Sequence, residues 1–170
     1  MRWGLPGPAK FGGAPVTNLR NFKSPHWRAL LGPAHRCLVP FTAFAEYEDA
    51  SPKGMKALRW FAPPDRGMRM FAGVWREWTG ARGPKSAPVT GAHLLFSLVT
   101  CEANEIVRPV HAKAMPLVLA GEEECARWLS VNAEDAEAMQ ARGVAEGVLE
   151  TLSEDEASVY EGMEALQAKL

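Results

Sequence analysis

The stretch Val110-His111-Ala112-Lys113-Ala114-Met115-Pro116-Leu117-Val118-Leu119 places a histidine and a lysine just ahead of an apolar Pro-Leu-Val-Leu run. The run predicts a strand over Leu117–Leu119 that enters a core, with the titratable pair at its rim. Upstream, Thr17-Asn18-Leu19-Arg20 and Phe44-Ala45-Glu46-Tyr47 also set polar groups beside apolar strand residues. Such a collection suits an electrophilic, anionic substrate, and its members are Asn18, Arg20, Glu46, His111 and Lys113.

Most of the chain reads as strands, turns and loops. The densest strand pattern is Leu-Leu-Phe-Ser-Leu-Val within His93–Thr100. Further strands are predicted over Arg36–Pro40, Leu58–Ala62 and Met68–Trp78, with an extended segment over Phe41–Tyr47. A turn is predicted over Asp49–Gly54, and a mobile loop over 79–91 because of its Gly, Pro, Ser and Thr content.

Short helices are predicted between the strands and along the C-terminal segment. Pro25–Leu31 follows a Ser-Pro start and stops at a Gly-Pro pair. Glu102–Val107 and Gly121–Leu129 are the next two, and the tail from Asn132 is mostly helical. Ser153-Glu154-Asp155-Glu156 forms a capping box for the last helix. We therefore expect an α+β fold, a curved and mostly antiparallel sheet with helices outside.

Length and composition limit the class of protein. A chain of 170 residues with 47% hydrophobic content can build one well-packed core. No apolar run approaches the ~18 residues of a membrane span, and the N-terminus lacks the apolar stretch of a signal peptide. The three cysteines are widely spaced and odd in number, which favours a reducing, cytoplasmic location.

Charge divides the chain into two halves. Residues 1–89 hold 14 Lys and Arg against 5 Asp and Glu, whereas residues 90–170 hold 5 against 15. A basic half rich in tryptophan suits a nucleic-acid groove, because cations hold phosphates and rings stack on bases. The alternative is that both sets of charges are solvated and pair across the fold. Residues 131–170 are predicted to form an acidic helical extension after a domain over 1–130.

Metal, nucleotide and thiol chemistry find little support. The four histidines do not cluster with cysteines at metal-ligand spacing, and Gly12-Gly13 has no phosphate-loop lysine after it. No metal and no cofactor are therefore expected. Cys37 lies within an apolar strand, and Cys101 and Cys125 lie beside glutamates that raise a thiol pKa.

Each candidate residue has two interpretations. Glu46 between aromatic residues is either a half-buried general acid with a raised pKa or a surface carboxylate beside other acidic groups. His111 is either a proton carrier near neutral pH or a structural histidine. The other residues bind DNA or serve only as solvated charges and packed rings, and they are Arg20, Arg28, Lys113, Trp3 and Trp27.

Eight segments in this order resemble the SRAP (SOS response-associated peptidase) family, over roughly residues 2–130. The matching segments are Arg2-Trp3-Gly4-Leu5, Thr17-Asn18-Leu19-Arg20, Ser24-Pro25-His26-Trp27-Arg28, Arg36-Cys37-Leu38-Val39-Pro40, Phe44-Ala45-Glu46-Tyr47, Phe71-Ala72-Gly73-Val74-Trp75-Arg76-Glu77-Trp78, Thr100-Cys101-Glu102-Ala103-Asn104 and His111 to Leu119.

The resemblance implies a barrel-like sheet with a basic groove, and recognition of abasic sites in single-stranded DNA during the DNA-damage response. Family members crosslink the ring-opened sugar through an N-terminal cysteine, and the peptidase label reflects removal of the initiator Met. By this resemblance Asn18 orients the nucleophile and sugar, Glu46 shuttles protons and His111 assists Schiff-base formation. DNA-binding roles fall to Trp3, Arg20, Arg28, Thr100 and Lys113.

Three departures bear on this reading. The sequence begins Met1-Arg2-Trp3, without the family's Cys-Gly-Arg start and its strand. The usual His-x-Arg-Met-Pro is stretched, with Lys113 in place of arginine, so a bidentate phosphate contact becomes a point charge. Ala45 replaces an aromatic residue, which predicts a looser pocket. Two alternatives to covalent chemistry stay open, a non-covalent single-stranded DNA-binding form and a pseudoenzyme whose acidic tail binds a protein.

Overall fold

A computed structural model describes residues 1–8, 13–52, 57–83 and 86–167, with side chains up to residue 163. The chain forms a large mixed sheet, a small three-stranded sheet and flanking helices. The strands are β1 (Arg2–Trp3), β2 (Asn18–Leu19), β3 (Arg36–Phe41), β4 (Phe44–Tyr47), β5 (Leu58–Ala62), β6 (Arg69–Arg82), β7 (Val89–Cys101), β8 (Met115–Pro116), β9 (Val118–Leu119) and β10 (Glu150–Thr151). The helices are α1 (Pro25–Arg28), α2 (Glu122–Ser130), α3 (Ala133–Arg142) and α4 (Glu154–Gln167).

The antiparallel pair β6–β7 is the centre of the large sheet, with partners from Gly73 opposite Leu98 to Arg82 opposite Val89. The predicted loop over 79–91 is therefore wrong for most of its length, and its residues 84–85 lie outside the described chain. Gly80 is part of the reason, since a Cβ there would meet the Trp78 ring at 2.0 Å. This glycine serves close ring packing along a strand and does not mark a loop.

The segment around Leu117 closes the sheet where β6 and β7 diverge. The Leu117 N–H donates to the Val99 carbonyl at 2.8 Å, and its carbonyl accepts the Ala72 N–H at 2.9 Å. On either side β8 pairs with β7 and β9 pairs with β6, both antiparallel. The predicted strand at 117–119 is thus confirmed as part of a barrel-like closure, and Leu117 is 1% exposed.

Two very short strands extend the same sheet in parallel on β7. Trp3 lies opposite Phe96, and Asn18 lies opposite Leu98. The mostly antiparallel α+β fold expected from the sequence is confirmed, with these parallel additions. They set the first two site segments side by side along one strand.

The helices partly match the sequence analysis. The first ends at Arg28, after a single turn that begins at Pro25, and α2 agrees closely with prediction. The predicted helix over Glu102–Val107 is wrong, because Asn104 Oδ1 accepts the Val107 N–H at 3.1 Å and residues 105–110 form turns. An asparagine side chain that bonds the local backbone competes with a helix in this way. No helix of the described residues is long and apolar enough to cross a membrane.

The C-terminal segment packs on both sheets. Met139 of α3 is 3% exposed in the main core, and β10 pairs antiparallel with β5. Tyr160 of α4 stacks on Trp60 at 5.4 Å between ring centroids. The turn predicted over Asp49–Gly54 is present at 49–50, and its residues 53–54 lie outside the described part of the chain.

The predicted capping box starts α4 and joins the basic and acidic halves of the chain. Ser153 Oγ donates to Glu156 Oε2 at 2.8 Å and accepts the Glu156 N–H at 3.4 Å. Arg66 Nη2 lies 2.6 Å from Glu156 Oε1, and Arg66 Nη1 lies 2.7 Å from Glu150 Oε1. Here the two halves do pair across the fold.

We expect Glu156→Gln to flatten the loss of stability in acid. Hydrogen bonds from Arg66 and Ser153 lower the pKa of Glu156 from its ordinary 4.5 to about 2. Its stabilising effect is thus complete above about 4.5 and is lost as pH falls from there towards 2. Thermal unfolding followed between these two pH values measures it, with Glu161→Gln, an exposed α4 glutamate, as the control. Equal acid slopes in the two variants would contradict the assignment.

Candidate functional site

A cavity of about 540 Å³ opens where the two sheets meet. β1 contributes Trp3, β2 contributes Asn18 and β4 contributes Glu46 to its lining. Its apolar floor comes from the core strands and the 115–119 closure, through Phe71, Leu98 and Pro116. Three residues that are separated widely in sequence thus border one cavity.

Trp3 forms one wall of the cavity and remains 52% exposed. Its indole Nε1–H donates to the Thr17 carbonyl at 2.9 Å, and its ring stacks on Phe96 with centroids 6.5 Å apart. The ring is therefore fixed in orientation and still offers free surface for stacking. Trp27 differs, since it is 9% exposed and packs in the core.

Glu46 is half-buried on β4, opposite Arg59 of β5. The Arg59 guanidinium pairs instead with Glu48, so Glu46 has no cation directly on it among the described residues. Burial raises the pKa of Glu46, an effect opposed by His111 and reinforced by Asp49. A carboxyl in this environment holds its proton to higher pH than a surface glutamate does.

His111 lies between the turns at 105–110 and β8, and it contacts Asp49. Its Nδ1 is 3.1 Å from Asp49 Oδ1, and the Ala112 N–H donates to Asp49 Oδ2 at 3.1 Å. The sequence analysis missed Asp49, treating it only as the start of a turn. Its position at the end of the β4 segment, three residues after Glu46, was the available signal. His111 does not line the cavity but interacts electrostatically with Glu46.

Arg20 and Lys113 lie together beside the cavity-forming segments. Arg20 Nη1 donates to the Lys113 carbonyl, and both residues are exposed. From α3, Gln140 Nε2 donates to the carbonyls of Arg20 at 2.8 Å and Thr100 at 2.7 Å. The C-terminal segment therefore holds the backbone at Arg20, just after β2.

The remaining predicted DNA-binding residues lie apart from the cavity lining. Thr100 is 5% exposed and borders a small pocket of about 150 Å³ with Arg20 and Glu102. A phosphate would have to reach a nearly buried hydroxyl beside a carboxylate there. Arg28 is exposed on α1.

A family model described as SOS response associated peptidase (SRAP) matches residues 1–161, almost the whole chain. This chain belongs to the SRAP family. No curated protein matches it.

Solved structures show the same fold as this SRAP chain. A protein from Bacteroides thetaiotaomicron superposes with a TM-score of 0.68 at 19% identity, covering 90% of this chain and 68% of that one. One from Bordetella bronchiseptica gives 0.67 at 20%, covering 88% and 74%. A phage-related protein from Bordetella bronchiseptica gives 0.58 at 23%, covering 88% and 68%.

The thiols of the SRAP chain are poor nucleophiles. Burial raises the pKa of Cys37 and of Cys101 to about 11. Burial, then the charges of Glu124 and Glu122, raise the pKa of Cys125. Thiolates are the reactive form, so none of these three side chains is activated. The described residues hold no group of three or more His, Cys, Asp and Glu that could bind a metal ion.

Proposed function

We propose that this SRAP chain binds single-stranded DNA at an abasic site, with the damaged deoxyribose in the cavity bordered by Trp3, Asn18 and Glu46. The observation that supports it most is the convergence of those three residues on one cavity of about 540 Å³. The His111–Asp49 pair lies within electrostatic reach of Glu46. A sugar without its base exposes polar oxygens and an aldehyde, which suit amide, carboxyl and imidazole partners.

The cavity divides these tasks between its walls. Asn18 can donate and accept hydrogen bonds to the open sugar. Glu46 can give a proton to the ring oxygen of the sugar as the bond from that oxygen to the anomeric carbon breaks, and it can take the proton of the anomeric hydroxyl, which becomes the aldehyde. Burial raises the pKa of Glu46 and favours the protonated form that starts this exchange. Trp3 offers an exposed ring for the base next to the lesion.

Covalent capture belongs to the family chemistry that the resemblance implies. Among the described residues, no cysteine borders the cavity. Burial leaves the thiols of Cys37, Cys101 and Cys125 unactivated. Our proposal for the residues that border the cavity is recognition of the lesion and proton transfer at the sugar.

Fluorescence anisotropy on two labelled oligonucleotides tests the proposal. One carries a central abasic site and the other an intact base in the same sequence. Two hydrogen bonds in the cavity, at about 0.5–1.5 kcal/mol each, give roughly a tenfold preference for the abasic strand. Asn18→Ala should reduce that preference about threefold or more. Equal affinity for the two strands in the parent chain would overturn the proposal.

A matched control and a second readout sharpen the result. Asn21→Ala removes an amide from the same segment, where Asn21 Oδ1 accepts the Lys23 N–H at 3.0 Å. It should leave the abasic preference unchanged. A denaturing gel after incubation separates the two modes of binding, since a band that survives SDS indicates a covalent adduct. A complex seen only in native conditions and lost in salt indicates the non-covalent form.

A further inference from the structure

Asp49 makes hydrogen bonds to three residues of the segment that carries His111. Its two carboxylate oxygens accept from different partners, the His111 ring at Nδ1 and the Ala112 N–H, each at 3.1 Å. Its own N–H donates to the Val110 carbonyl at 2.9 Å. The turn after β4 is thus tied to three consecutive residues of the His111 segment. The site residues Glu46 and His111 are held on two such connected segments.

The backbone of His111 is held without the Asp49 side chain. The N–H groups of Val110 and His111 both donate to the Val107 carbonyl at 2.9 Å. Asn104 Oδ1 in turn accepts the Val107 N–H. The freedom that Asp49 removes is therefore chiefly rotation of the imidazole ring.

Asp49 is an anion in this position. The Ala112 N–H, and then the charge and hydrogen bond of His111, lower the pKa of Asp49, with Lys113 adding to them. An acceptor-only carboxylate beside Nδ1 requires a proton on that nitrogen. The other nitrogen, Nε2, makes no hydrogen bond to any described residue, so in the neutral ring it is an open acceptor.

We propose that Asp49 is the positioning residue of this site, holding His111 with Nδ1 protonated so that Nε2 can take and return a proton. This rests on the proposed function, because His111 needs a free nitrogen only if it serves the sugar chemistry. The charged groups around the pair are Glu46 on β4 and Lys113 on the His111 segment. An acid that fixes the tautomer of a histidine base is a recurring device in enzymes.

Asp49→Asn is a nearly isosteric test that reverses the tautomer. The Asn oxygen can still accept from Ala112, which leaves its NH₂ group facing Nδ1. Nδ1 must then be the acceptor, and the proton moves to Nε2. Nitrogen-15 NMR of the imidazole distinguishes the two tautomers directly. We expect Nδ1–H in the parent chain, Nε2–H in Asp49→Asn, and return of Nδ1–H in Asp49→Glu.

Asp65→Asn is the matched control. Like Asp49, Asp65 accepts a backbone N–H with one carboxylate oxygen, here that of Gly67 at 3.0 Å. Its other oxygen accepts from the Arg69 guanidinium at 3.0 Å. It removes the same charge from a different turn and should leave the His111 tautomer unchanged. An Nε2–H tautomer in the parent chain, or no change in Asp49→Asn, would overturn the assignment.

The DNA readout separates this inference from the proposed function. If both hold, Asp49→Asn weakens the preference for abasic DNA about threefold, the value of one neutral hydrogen bond. If the tautomer reverses but the parent chain shows no abasic preference, the positioning role stands and the proposed function falls. If the preference exists and Asp49→Asn leaves it intact, His111 does not act through Nε2.

Discussion

Replacing Arg36 with methionine is expected to lower the free energy of unfolding by about 3 kcal/mol. Arg36 is 4% exposed, and its guanidinium donates to four backbone carbonyls at 2.7–2.8 Å. Two of those carbonyls, of Trp128 and Val131, belong to the C-terminal end of α2, where helix carbonyls lack partners. The other two belong to Leu31 and Asn132.

The large effect follows from what the substitution leaves behind. Methionine fills much of the volume but donates no hydrogen bond, so four carbonyl acceptors lose their partner, two in buried and two in part-buried hydrogen bonds. The guanidinium also lies 4.8 Å over the Trp128 ring, a contact that methionine replaces only in part. Against this, burial lowers the pKa of Arg36, which means that keeping the charge inside has a cost. Methionine removes this cost of burying a charge, but the loss of four hydrogen bonds is the larger effect.

Urea unfolding measures the change, with an expected drop in midpoint of roughly 1–2 M. Arg36→Lys should fall between the parent and Arg36→Met, because an ammonium group cannot reach all four carbonyls. Arg127→Met is the control, since Arg127 is exposed on the same helix and its loss should cost no more than about 1 kcal/mol. Equal midpoints for the Arg36 and Arg127 methionine variants would contradict the stabilising role of the four Arg36 hydrogen bonds.

Arg36 also shows where sequence reasoning stops. The pattern Arg-Cys-Leu-Val-Pro predicted a strand, and β3 is that strand. Nothing in the neighbouring sequence indicates that the side chain of Arg36 hydrogen-bonds the carbonyls at the end of a helix more than 90 residues away. The run Leu-Leu-Phe-Ser-Leu-Val carries its own signal, because four of its six residues are buried and burial favours apolar residue types. The two-residue strands β1 and β2 fall where short extended segments were predicted, but their parallel pairing has no local signal because it depends on where β7 lies.

The candidate site also contains residues that the sequence predicted and one that it did not. Glu46 and Asn18 were predicted because each lies beside aromatic or apolar strand residues, and the structure sets both on one cavity. Their roles remain predictions. Asp49 was missed because an aspartate after a strand is usually a turn residue, and only the folded chain brings His111 to it. A local sequence pattern can predict the strand on which a polar side chain lies. Its partner from a distant part of the chain can be identified only when the sheet topology is known.

Changing Arg20 and Lys113 together to alanine is expected to weaken single-stranded DNA binding about tenfold or more at low salt. Each phosphate contact on a single strand contributes about 0.7 to the slope of log affinity against log salt. Loss of two contacts should therefore reduce that slope by about 1.4. Anisotropy titrations at several salt concentrations between about 50 and 200 mM measure both quantities.

The structure favours these two cations because both are exposed and lie on neighbouring segments. Arg20 donates to the Lys113 carbonyl, and Gln140 fixes the Arg20 carbonyl at 2.8 Å. Neither Arg20 nor Lys113 makes an ion pair with a carboxylate in the described chain. The Arg20 side chain, already held by the Lys113 carbonyl, therefore loses less entropy than a free side chain when it binds a phosphate.

Arg127→Ala with Arg142→Ala removes the same charge from α2 and α3 and serves as the control. The Arg142 ion pair with Glu124 is at the surface, where such pairs contribute little to stability. This variant should keep the parent salt slope. Arg28→Ala alone reports whether the strand also reaches α1, with a slope lower by about 0.7 if it does.

The ratio of the affinities for abasic and intact strands distinguishes contacts to the DNA backbone from contacts to the lesion. Phosphates are present in intact and abasic strands alike, so contacts to them carry no information about the missing base. The double variant at Arg20 and Lys113 should therefore lose affinity for both strands equally, whereas Asn18→Ala should lose it for the abasic strand alone. If the abasic preference also disappears in the double variant, the two cations act on the open sugar and not on the backbone.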